Sequence, residues 1–327
     1  MAQLRIGSRG SALARAQAEQ VIALLRASEL GLEPELAIVR VSGDEPPTDA
    51  TRLDDASPSP DVQLPHDAAP DKSRWVDAIE RALREGEIDL AVHSAKDVPG
   101  EPADGLDLVG APARAPAEDV LCGARDLRSL AAGARVGTSS VRRAAQLRVA
   151  RDDLEIVALS GNVDTRLRRL SVTGRDGDGE DVLDAIVLAR AGLQRLGRED
   201  AIGASLDPAT FVPAPGQGVL ALQARGEDER ARAAAHAITD ADAFACLLAE
   251  RALVRALGAS CHTPLGAHAR PAGCGCLHMR AWVGLPDGSA WVADELLGGF
   301  YDPAELGRDV ARRMDASGAG ELLARVA

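Results

Sequence analysis

Apolar and polar residues at the start of the chain follow a pattern that predicts a strand, a helix and a second strand. A strand is predicted at 4–8, and apolar side chains then recur with a period near 3.6 along a helix from about Ser11 to Ser28. Ser11 is a suitable N-cap, because a serine hydroxyl can accept a hydrogen bond from a free N–H group of the first turn. A second apolar run at 36–41 predicts the next strand, so the order indicates a β-α-β unit.

The next stretch, 42–71, loses this periodicity and is rich in Asp, Pro, Ser and Thr. Such a stretch inside a compact domain is uncommon and is typical of a lid, a binding loop or a disordered segment. We expect residues about 45–70 to be mobile in the absence of a ligand. The regular pattern then returns, with a predicted helix at 73–85, a strand at 88–92, a polar segment at 93–99 and a strand at 106–112.

A second alternation of strands and helices follows the linker 113–118. The predicted strands lie at about 119–123, 135–139, 154–160 and 184–189 and, beyond a crossover rich in Pro and Gly at 211–218, at 219–225. An apolar helix at about 241–257 comes next, and the remaining residues predict a small antiparallel sheet with a covering helix from 302. Alternating strands and helices are typical of parallel sheets.

We therefore predict an α/β protein with three domains, namely two α/β lobes and a small α+β domain that contains an antiparallel sheet. The length of 327 residues suits two or three domains. We assign the first domain to 1–114 and 214–236, with the lid at about 42–72. The second domain is assigned to 115–213 and the third to 237–327.

Composition and charge weigh against several classes of protein. The chain has 37 Lys plus Arg against 50 Asp plus Glu, a formal charge of -13, and only three Trp, three Phe and one Tyr. Nucleic-acid binding normally needs a basic surface and, for single strands, stacking aromatics. No apolar run reaches the roughly 18–20 residues of a membrane helix, and the first residues lack the apolar stretch of a signal peptide. We expect a cytoplasmic protein that binds a small molecule, without nucleic-acid or membrane partners.

Three predicted strand ends lead into helix starts that are rich in hydroxyl and guanidinium groups. Free backbone N–H groups and the positive end of a helix dipole attract anions there, and arginine adds bidentate binding of carboxylates. The residues are Arg9 and Ser11; Thr138, Ser139, Ser140, Arg142 and Arg143; and Arg166, Arg168 and Arg169. Together they predict a ligand with several carboxylates in a cleft between the lobes. The alternative is a set of ordinary N-caps followed by arginines that face solvent.

The segment 93–99 places His, Ser, Lys and Asp directly after a buried strand, where the functional groups of α/β proteins lie. Lys96 is one of only two lysines in a chain that otherwise uses arginine. A specific requirement for Lys96 is therefore favoured over an exposed pair with Asp97.

The five cysteines are an odd number, which predicts at least one free thiol and a reducing compartment. Cys261 lies in a loop of small residues between a predicted helix and strand, a pattern that fits both a bystander and a nucleophile. Cys274, Cys276 and His278 alternate along one predicted strand. Because zinc sites usually separate paired cysteines by two to four residues, we predict no metal site.

Seven ordered segments resemble the porphobilinogen deaminase (hydroxymethylbilane synthase) family over nearly the whole chain. They are RIGSRGSALARAQ, HSAKDVP, GTSSVRRAAQL, GNVDTRLRRL, LARAGLQRLG, PAPGQG and ERALVRALGASCHTPLGAHA. The resemblance implies three domains, of which the first two are similar to periplasmic binding proteins and the third carries a cofactor on a cysteine. It also implies a monomer that joins four porphobilinogen molecules head to tail on a covalent dipyrromethane primer, with release of ammonia, in porphyrin and heme biosynthesis.

The resemblance further implies roles for individual residues. Cys261 matches the position that holds dipyrromethane through a thioether, and Asp97 matches the catalytic carboxylate, with Lys96 beside it. A fixed carboxylate there would stabilise the cationic azafulvene left when ammonia departs, and it could transfer protons. The positions that match cofactor-binding residues are Thr138, Ser139, Ser140, Arg142, Arg143 and Lys96, and those that match substrate-binding residues are Arg9, Ser11, Arg166 and Arg195.

Three departures from the family pattern stand out. Ser160 replaces an active-site arginine, which should weaken carboxylate binding or ammonia departure unless another residue such as Arg168 reaches in. The lid is longer and more acidic than usual, and Lys72 and Trp75 remain from the family's G-K-G-L-F segment. Ala12 stands where proline is common, and alanine suits an early helical position.

These departures leave two hypotheses open. The chain is either an active deaminase with a divergent lid, or a catalytically impaired homologue that binds a pyrrole or another polycarboxylate. Formation of a linear tetrapyrrole with release of ammonia would separate them. A third hypothesis, nucleic-acid binding through the arginines of the two helix starts, is disfavoured by the acidic charge and the scarcity of aromatics.

Overall fold

The computed structural model of this chain describes residues 2–40, 73–170, 182–260, 263–273 and 275–326. Within these residues the chain forms two five-stranded mixed sheets and one three-stranded antiparallel sheet, with helices packed against them. The predicted fold class, two α/β units and a small unit with an antiparallel sheet, is confirmed. The predicted lid at about 42–72 lies outside the described residues, as do Cys261 and Cys274.

The helices and strands of the described residues follow one another in a simple order. They are β1 (Ala2–Ser8), α1 (Ala12–Ala27), β2 (Leu32–Ile38), α2 (Ser73–Arg84), β3 (Leu90–Ser94), β4 (Leu106–Gly110), β5 (Asp119–Cys122), β6 (Arg135–Gly137), α3 (Val141–Ala150), β7 (Glu155–Val157), α4 (Val163–Leu167), β8 (Ala185–Ala189), α5 (Arg190–Arg195), β9 (Ala204–Ser205), β10 (Leu220–Arg225), α6 (Glu229–Ala237), α7 (Ala241–Ala256), β11 (Leu265–Pro271), β12 (Cys276–Gly284), β13 (Trp291–Gly299), α8 (Pro303–Ala316) and α9 (Ala319–Ala324). None of the described helices combines the length and apolar character needed to cross a membrane.

The first sheet has the strand order β2-β1-β3-β10-β4. Strand β1 runs parallel to β2 and β3, whereas β10 runs antiparallel between β3 and β4. Leu4 and Ile6 of β1 pack in one apolar cluster with Val21 and Leu25 of α1, so side chains that alternate along the strand meet a helical stripe. Helix α2 supplies a separate cluster that contains Leu83.

The second sheet has the order β7-β6-β8-β5-β9, with β6 parallel to β7 and β8, and β5 antiparallel between β8 and β9. Leu147 of α3 packs with Val136 and Val187 in one cluster. Leu193 of α5 packs with Ile186 in another. Because neighbouring residues of β8 belong to different clusters, both faces of this sheet are covered.

The third sheet has the order β11-β12-β13, and α7, α8 and α9 pack on one face of it. Leu277 and Met279 of β12 point into that core. On the other face, Trp282 packs with Ala145 of α3 and with Val212. The third sheet therefore contacts the second lobe directly.

Two crossover segments, 111–118 and 206–219, connect the first two sheets. Arg114 in the first crossover donates to Gln217 O in the second at 3.0 Å, and its Nη1 lies 2.6 Å from Oε1 of the buried Glu250 of α7. The crossovers and the C-terminal unit are therefore joined by a buried ion pair.

Two sequence predictions were wrong at strand ends. The second strand spans Leu32–Ile38 and not 36–41. It lies at the edge of the sheet, where Glu33 and Pro34 are tolerated, and these residues hide the apolar pattern of its first half. The third strand continues to Ser94 and not to residue 92. Its polar His93 is buried because it has a hydrogen-bond partner inside the sheet.

Candidate active site

Strands β1 and β3 of the first sheet run parallel and end side by side. The segment 93–99 begins in the last residues of β3 and continues beyond its carboxyl end. Beyond Ser94 the chain makes a single 3-10 turn, Ala95–Asp97. Gln17 of α1 donates from Nε2 to Ser94 Oγ at 3.2 Å. The turn therefore lies at the carboxyl end of β3, where the sequence predicts functional groups.

Lys96 and Asp97 are both half-buried in this turn. Burial lowers the pKa of Arg166 in the second lobe, Arg143 lowers it further, and the charge of Asp97 opposes both. Asp97 of the first lobe and Arg166 of the second are therefore within electrostatic range of each other.

A chain of three buried polar side chains, His93, Gln223 and Glu80, lies behind this edge. His93 Nε2 is 2.9 Å from Gln223 Oε1, and Gln223 Nε2 donates to Glu80 Oε1 at 2.7 Å. Because a carboxylate can only accept, the amide oxygen of Gln223 faces His93, whose Nε2 carries the proton. Burial lowers the pKa of His93 to about 4, so the ring is neutral at pH 7. Sequence reasoning missed this hydrogen-bonded row of side chains. Its signal in the sequence was a single polar residue inside each of two apolar strands, His93 in β3 and Gln223 in β10.

The Pro- and Gly-rich crossover supports the Ala95–Asp97 turn from another side. Gly216 has a φ of +72°, and a Cβ on it would lie 2.9 Å from Ala95 Cβ and 3.1 Å from Lys96 N. Ala95 N donates to Val219 O at 3.0 Å, and Gly216 N donates to Glu250 Oε2 at 2.6 Å. Only glycine combines this φ with such a close approach.

Thr138, Ser139 and Ser140 form the connection between β6 and α3, as predicted. Ser140 is the N-cap of α3 and accepts from Arg143 N at 3.4 Å. Thr138 Oγ1 accepts from Ser140 N at 3.2 Å, and the Ser139 hydroxyl donates to Leu159 O and accepts from Leu159 N. These hydroxyls already have partners within the protein.

The start of α1 follows the same pattern. Ser11 is its N-cap and accepts from Ala14 N at 3.3 Å, and Ser8 Oγ donates to Ala14 O at 2.9 Å. Arg9 is half-buried in this turn. Since α1 packs against α5 of the second lobe, this turn lies near the junction of the lobes.

The two arginines of α3 are buried, which contradicts the alternative in which they face solvent. Arg142 and Arg143 are 3% and 6% exposed, and their Nη2 atoms lie 2.8 Å and 2.7 Å from the carboxylate oxygens of Asp119. Burial raises the pKa of Asp119, but both arginines and a hydrogen bond from Gln217 lower it to about 2. Two cations and one anion leave one net positive charge. Sequence reasoning missed Asp119.

Arg166 and Arg195 differ from that pair. In the described part of the chain neither forms a salt bridge, and burial alone lowers the pKa of Arg195 to about 10. Arg166 Nε donates to Gly161 O at 2.8 Å and Arg195 Nη2 to Gly218 O at 2.8 Å, while Nε of Arg195 is buried without a partner. Half-buried cations that form no salt bridge suit an anionic ligand.

Ser160 is exposed between β7 and α4. Asn162 caps α4 by accepting from Thr165 N at 2.9 Å. Arg168, one of the residues that could reach in to compensate for Ser160, is exposed and donates to Thr165 Oγ1 at 3.1 Å. Its guanidinium therefore bonds within its own turn.

Ser260 and Thr263 bond to each other on either side of the position of Cys261. Ser260 N donates to Thr263 Oγ1 at 2.9 Å, and Thr263 N donates to Ser260 O at 3.1 Å. Cys261 itself lies outside the described residues.

Cys276 and His278 lie on the same partly exposed face of β12. His278 Nε2 is 3.5 Å from Glu295 Oε2. Among the described residues no group of three or more His, Cys, Asp and Glu could hold a metal ion. Cys274, the other member of the predicted C-x-C-x-H pattern, lies outside those residues.

Solved structures of other proteins align loosely with the chain. A YaeC-family lipoprotein from Enterococcus faecalis gives a TM-score of 0.38 at 13% identity over 73% of this chain and 92% of that chain. A nutrient binding protein from Burkholderia cenocepacia, bound to methionine, gives 0.38 at 10% identity over 71% and 90%. TM-scores this low do not establish a shared fold. The expected similarity to periplasmic binding proteins therefore stays a prediction.

Sequence comparison gives a much stronger match. Residues 4–233 match the family model "Porphobilinogen deaminase, dipyromethane cofactor binding domain", and 244–316 match "Porphobilinogen deaminase, C-terminal domain". Porphobilinogen deaminase of Thermus thermophilus is 39% identical over 98% of both chains, and that of Xanthomonas oryzae is 41% identical over 99% of both. That of Deinococcus radiodurans is 38% identical over 100% of this chain and 99% of its own. The chain therefore belongs to the porphobilinogen deaminase family.

Proposed function

We propose that this chain is an active porphobilinogen deaminase, or hydroxymethylbilane synthase. This transferase joins four porphobilinogen molecules head to tail into a linear tetrapyrrole, with release of ammonia, in porphyrin and heme biosynthesis. One observation carries the proposal: the two family models of porphobilinogen deaminase match residues 4–233 and 244–316 of this chain. Asp97, which we assign to the cationic reaction centre, and Arg166, which we assign to the carboxylates of the substrate, both lie within the first of these matches.

The residues at the start of α3 fit the dipyrromethane group that the family model names. Its acetate and propionate groups need cations and hydrogen-bond donors, and the cluster of Arg142, Arg143 and Asp119 keeps one net positive charge beside a run of hydroxyls. Cys261 would hold the group covalently, and the residues that would bind it are Lys96, Thr138, Ser139, Ser140, Arg142 and Arg143. When bound, the group supplies the primer to which the first porphobilinogen is joined.

Asp97 stabilises the reaction centre on the substrate. Loss of ammonia from an aminomethylpyrrole leaves positive charge on the substrate, and a fixed carboxylate near the pyrrole N–H lowers the energy of that charge. The same carboxylate can take up the proton that the ring loses after the carbon–carbon bond has formed. Lys96, the preceding residue, offers an ammonium donor to carboxylates of the bound primer.

Arg9, Ser11, Arg166 and Arg195 bind the acetate and propionate groups of the incoming substrate and the growing chain. Each pyrrole ring adds two carboxylates, so the site needs several cations as the product grows. Arg166 and Arg195 suit this role because neither forms a salt bridge with a described carboxylate, although the charge of Asp97 reaches Arg166. Arg9 and Ser11 lie at the start of α1, which packs against the helix of Arg195.

The binding-only alternative rests on Ser160 and on the acidic lid. Similarity to proteins named porphobilinogen deaminase, at 38–41% identity over essentially the full length, favours the enzyme. The exposed position of Ser160 leaves room for an arginine in that loop.

We also propose the domain limits that the sequence suggests. The strands of the first sheet fall within 1–114 and 214–236, those of the second within 115–213 and those of the third within 237–327. An odd number of cysteines supports a reducing, cytoplasmic location. The resemblance to the family supports a monomer, which light scattering on the purified protein would check.

Incubation of the purified protein with porphobilinogen tests the proposed function. We expect a linear tetrapyrrole with release of ammonia, and a Cys261 peptide that carries the added mass of dipyrromethane. Cys261→Ser should abolish both signals. Asp97→Ala should stop turnover in a folded protein, whereas the exposed Asp104→Ala, in the loop before β4, should keep it.

One result would overturn the proposal in favour of binding alone. It is a protein whose Cys261 peptide carries the added mass, and which binds porphobilinogen, yet which forms no tetrapyrrole.

A further inference from the structure

A buried arginine of the C-terminal unit holds the segment that follows Asp97. Arg251 lies in α7 and is 5% exposed. Its guanidinium donates to Val98 O at 3.4 Å, to Pro99 O at 2.6 Å and to Gly100 O at 2.8 Å. Burial lowers the pKa of Arg251 to about 10, so the side chain remains charged at neutral pH. Three successive carbonyl groups are thus fixed by one charged group.

These carbonyls belong to the exit of the Ala95–Asp97 turn. Val98 N donates to Ala95 O at 3.2 Å, which closes the turn. Pro99 has a restricted φ, so the chain beyond the turn has few alternative paths. Bonds from Arg251 to this exit therefore restrict the orientation of the turn and of the Asp97 side chain that it carries.

The residue before Arg251 acts on the entry side of the same turn. Glu250 is fully buried and accepts from Gly216 N at 2.6 Å, and Gly216 packs against Ala95 and Lys96. Consecutive residues of an α-helix point about 100° apart. Two adjacent side chains of α7 can therefore hold two sides of one turn.

Helix α7 also leads to the proposed attachment point of the cofactor. It ends at Ala256, and Cys261 lies five residues further along the chain. We propose that Arg251 is a positioning residue, which fixes the Ala95–Asp97 turn and with it the place of Asp97. This inference rests on the proposed function, because that function gives Asp97 its role.

The geometry of arginine matters for this role. The planar guanidinium presents several donors in a fixed fork, whereas the ammonium of lysine is a compact charge on a flexible stem. Arg251→Met keeps the apolar stem and removes every donor, and Arg251→Lys keeps the charge. Arg255→Met is a matched control one turn further along, because Arg255 makes one 3.4 Å contact with the same Gly100 O and is more exposed.

Steady-state kinetics with porphobilinogen provide the first test. We expect Arg251→Met to lower kcat by about 10- to 100-fold with little change in KM, since small displacements of a catalytic group have effects of this size. Arg251→Lys should recover part of the loss, and Arg255→Met should stay within about twofold of the parent protein. An unchanged kcat in folded Arg251→Met, or equal losses in both Met variants, would overturn the proposal.

Hydrogen exchange measured by mass spectrometry provides a test without turnover. In Arg251→Met, or in Arg251→Lys if the Met variant does not fold, we expect faster exchange confined to peptides that cover 93–101. Uniformly faster exchange would show a general loss of stability and would overturn the positioning role. If the parent protein makes no tetrapyrrole, the proposed function fails, and the exchange experiment still decides whether Arg251 fixes the turn.

Discussion

The second lobe uses arginine in two different ways at the same edge of its sheet. Arg142 and Arg143 are buried against Asp119, which is itself fully buried. Arg166 and Arg195 are half-buried and, among the described residues, form no salt bridge. The two pairs differ in that a buried carboxylate lies against Arg142 and Arg143, whereas no described carboxylate forms a salt bridge with Arg166 or Arg195.

The buried carboxylate of Asp119 also determines how each pair of arginines can respond to a ligand. A buried ion pair contributes little net stability, but loss of one partner is costly because it leaves an uncompensated charge. Arg142 and Arg143 thus depend on Asp119, and a ligand carboxylate that binds them must share them with Asp119. Arg166 and Arg195 form no such salt bridge in the described residues, although the charge of Asp97 reaches Arg166.

The largest expected effect follows from removing the shared carboxylate. Asp119→Asn should lower the free energy of unfolding by about 3–5 kcal/mol, because two buried arginines lose their counter-charge. Urea unfolding followed by circular dichroism would measure the change. The matched control is Asp164→Asn, which removes the exposed partner of Arg198 and should cost at most about 1 kcal/mol. Equal losses in the two variants would remove the distinction between the two kinds of arginine.

Acid should weaken the same cluster. The pKa of Asp119 is about 2 in the folded chain against an ordinary value of 3.8. A lowered pKa stabilises the fold above the ordinary value, so this contribution, about 2 kcal/mol, is present at pH 5 and is lost as the pH falls from about 4 to 2. A carbon-13 NMR titration of the Asp119 carboxyl would check it. A midpoint at or above 3.8 would contradict the proposed pairing.

Replacing the arginines that form no salt bridge among the described residues should affect substrate binding and leave folding little changed. Arg166→Gln and Arg195→Gln should each raise KM for porphobilinogen about tenfold, since a hydrogen bond to a charged group contributes about 1.5–3 kcal/mol. The free energy of unfolding should change by less than about 1 kcal/mol. Arg168→Gln is the control, because that side chain is exposed and bonded to Thr165. A loss of stability without a change in KM would assign these arginines to the scaffold.

The smallest effect is expected at the position where the family has an arginine. Ser160→Arg should lower KM a few-fold, because an exposed new cation near Arg166 adds attraction for carboxylates but is screened by solvent. Steady-state kinetics at low and high salt would measure it, with the gain reduced at high salt. An unchanged KM at low salt would mean that this position does not limit carboxylate binding.

The sequence predicts the elements that have strong patterns and the motifs at their ends. Helix α1 and its Ser11 cap have an apolar stripe and a suitable first residue, and both are confirmed. The apolar pattern predicts strand β2 too far along the chain, because Glu33 and Pro34 interrupt that pattern at the sheet edge. The roles of Asp97, Cys261 and the carboxylate-binding residues come from the family resemblance and stay predictions.

The sequence does not reveal which polar groups pair inside the molecule. Asp119 lies 23 residues before Arg142 in the chain and has no motif of its own, so its pairing depends on how strands β5 and β8 are arranged. Glu250 and Arg251 stand next to each other in the sequence of an apolar helix, which does not show what they bond to. The packing of α7 brings Arg251 to Pro99 O and Glu250 to Gly216 N. Pairings over such separations are fixed by tertiary structure.

The position of β10 in the first sheet has a consequence for how the chain is made. β10 lies between β3 and β4, yet it follows every strand of the second sheet in the sequence. During synthesis the strands of the second sheet leave the ribosome while the first sheet still has a gap between β3 and β4. The second lobe can therefore fold as an inserted unit, and the N-terminal strands must wait for residues 220–225. A nascent chain that stops before residue 220 would expose the unpaired edges of β3 and β4.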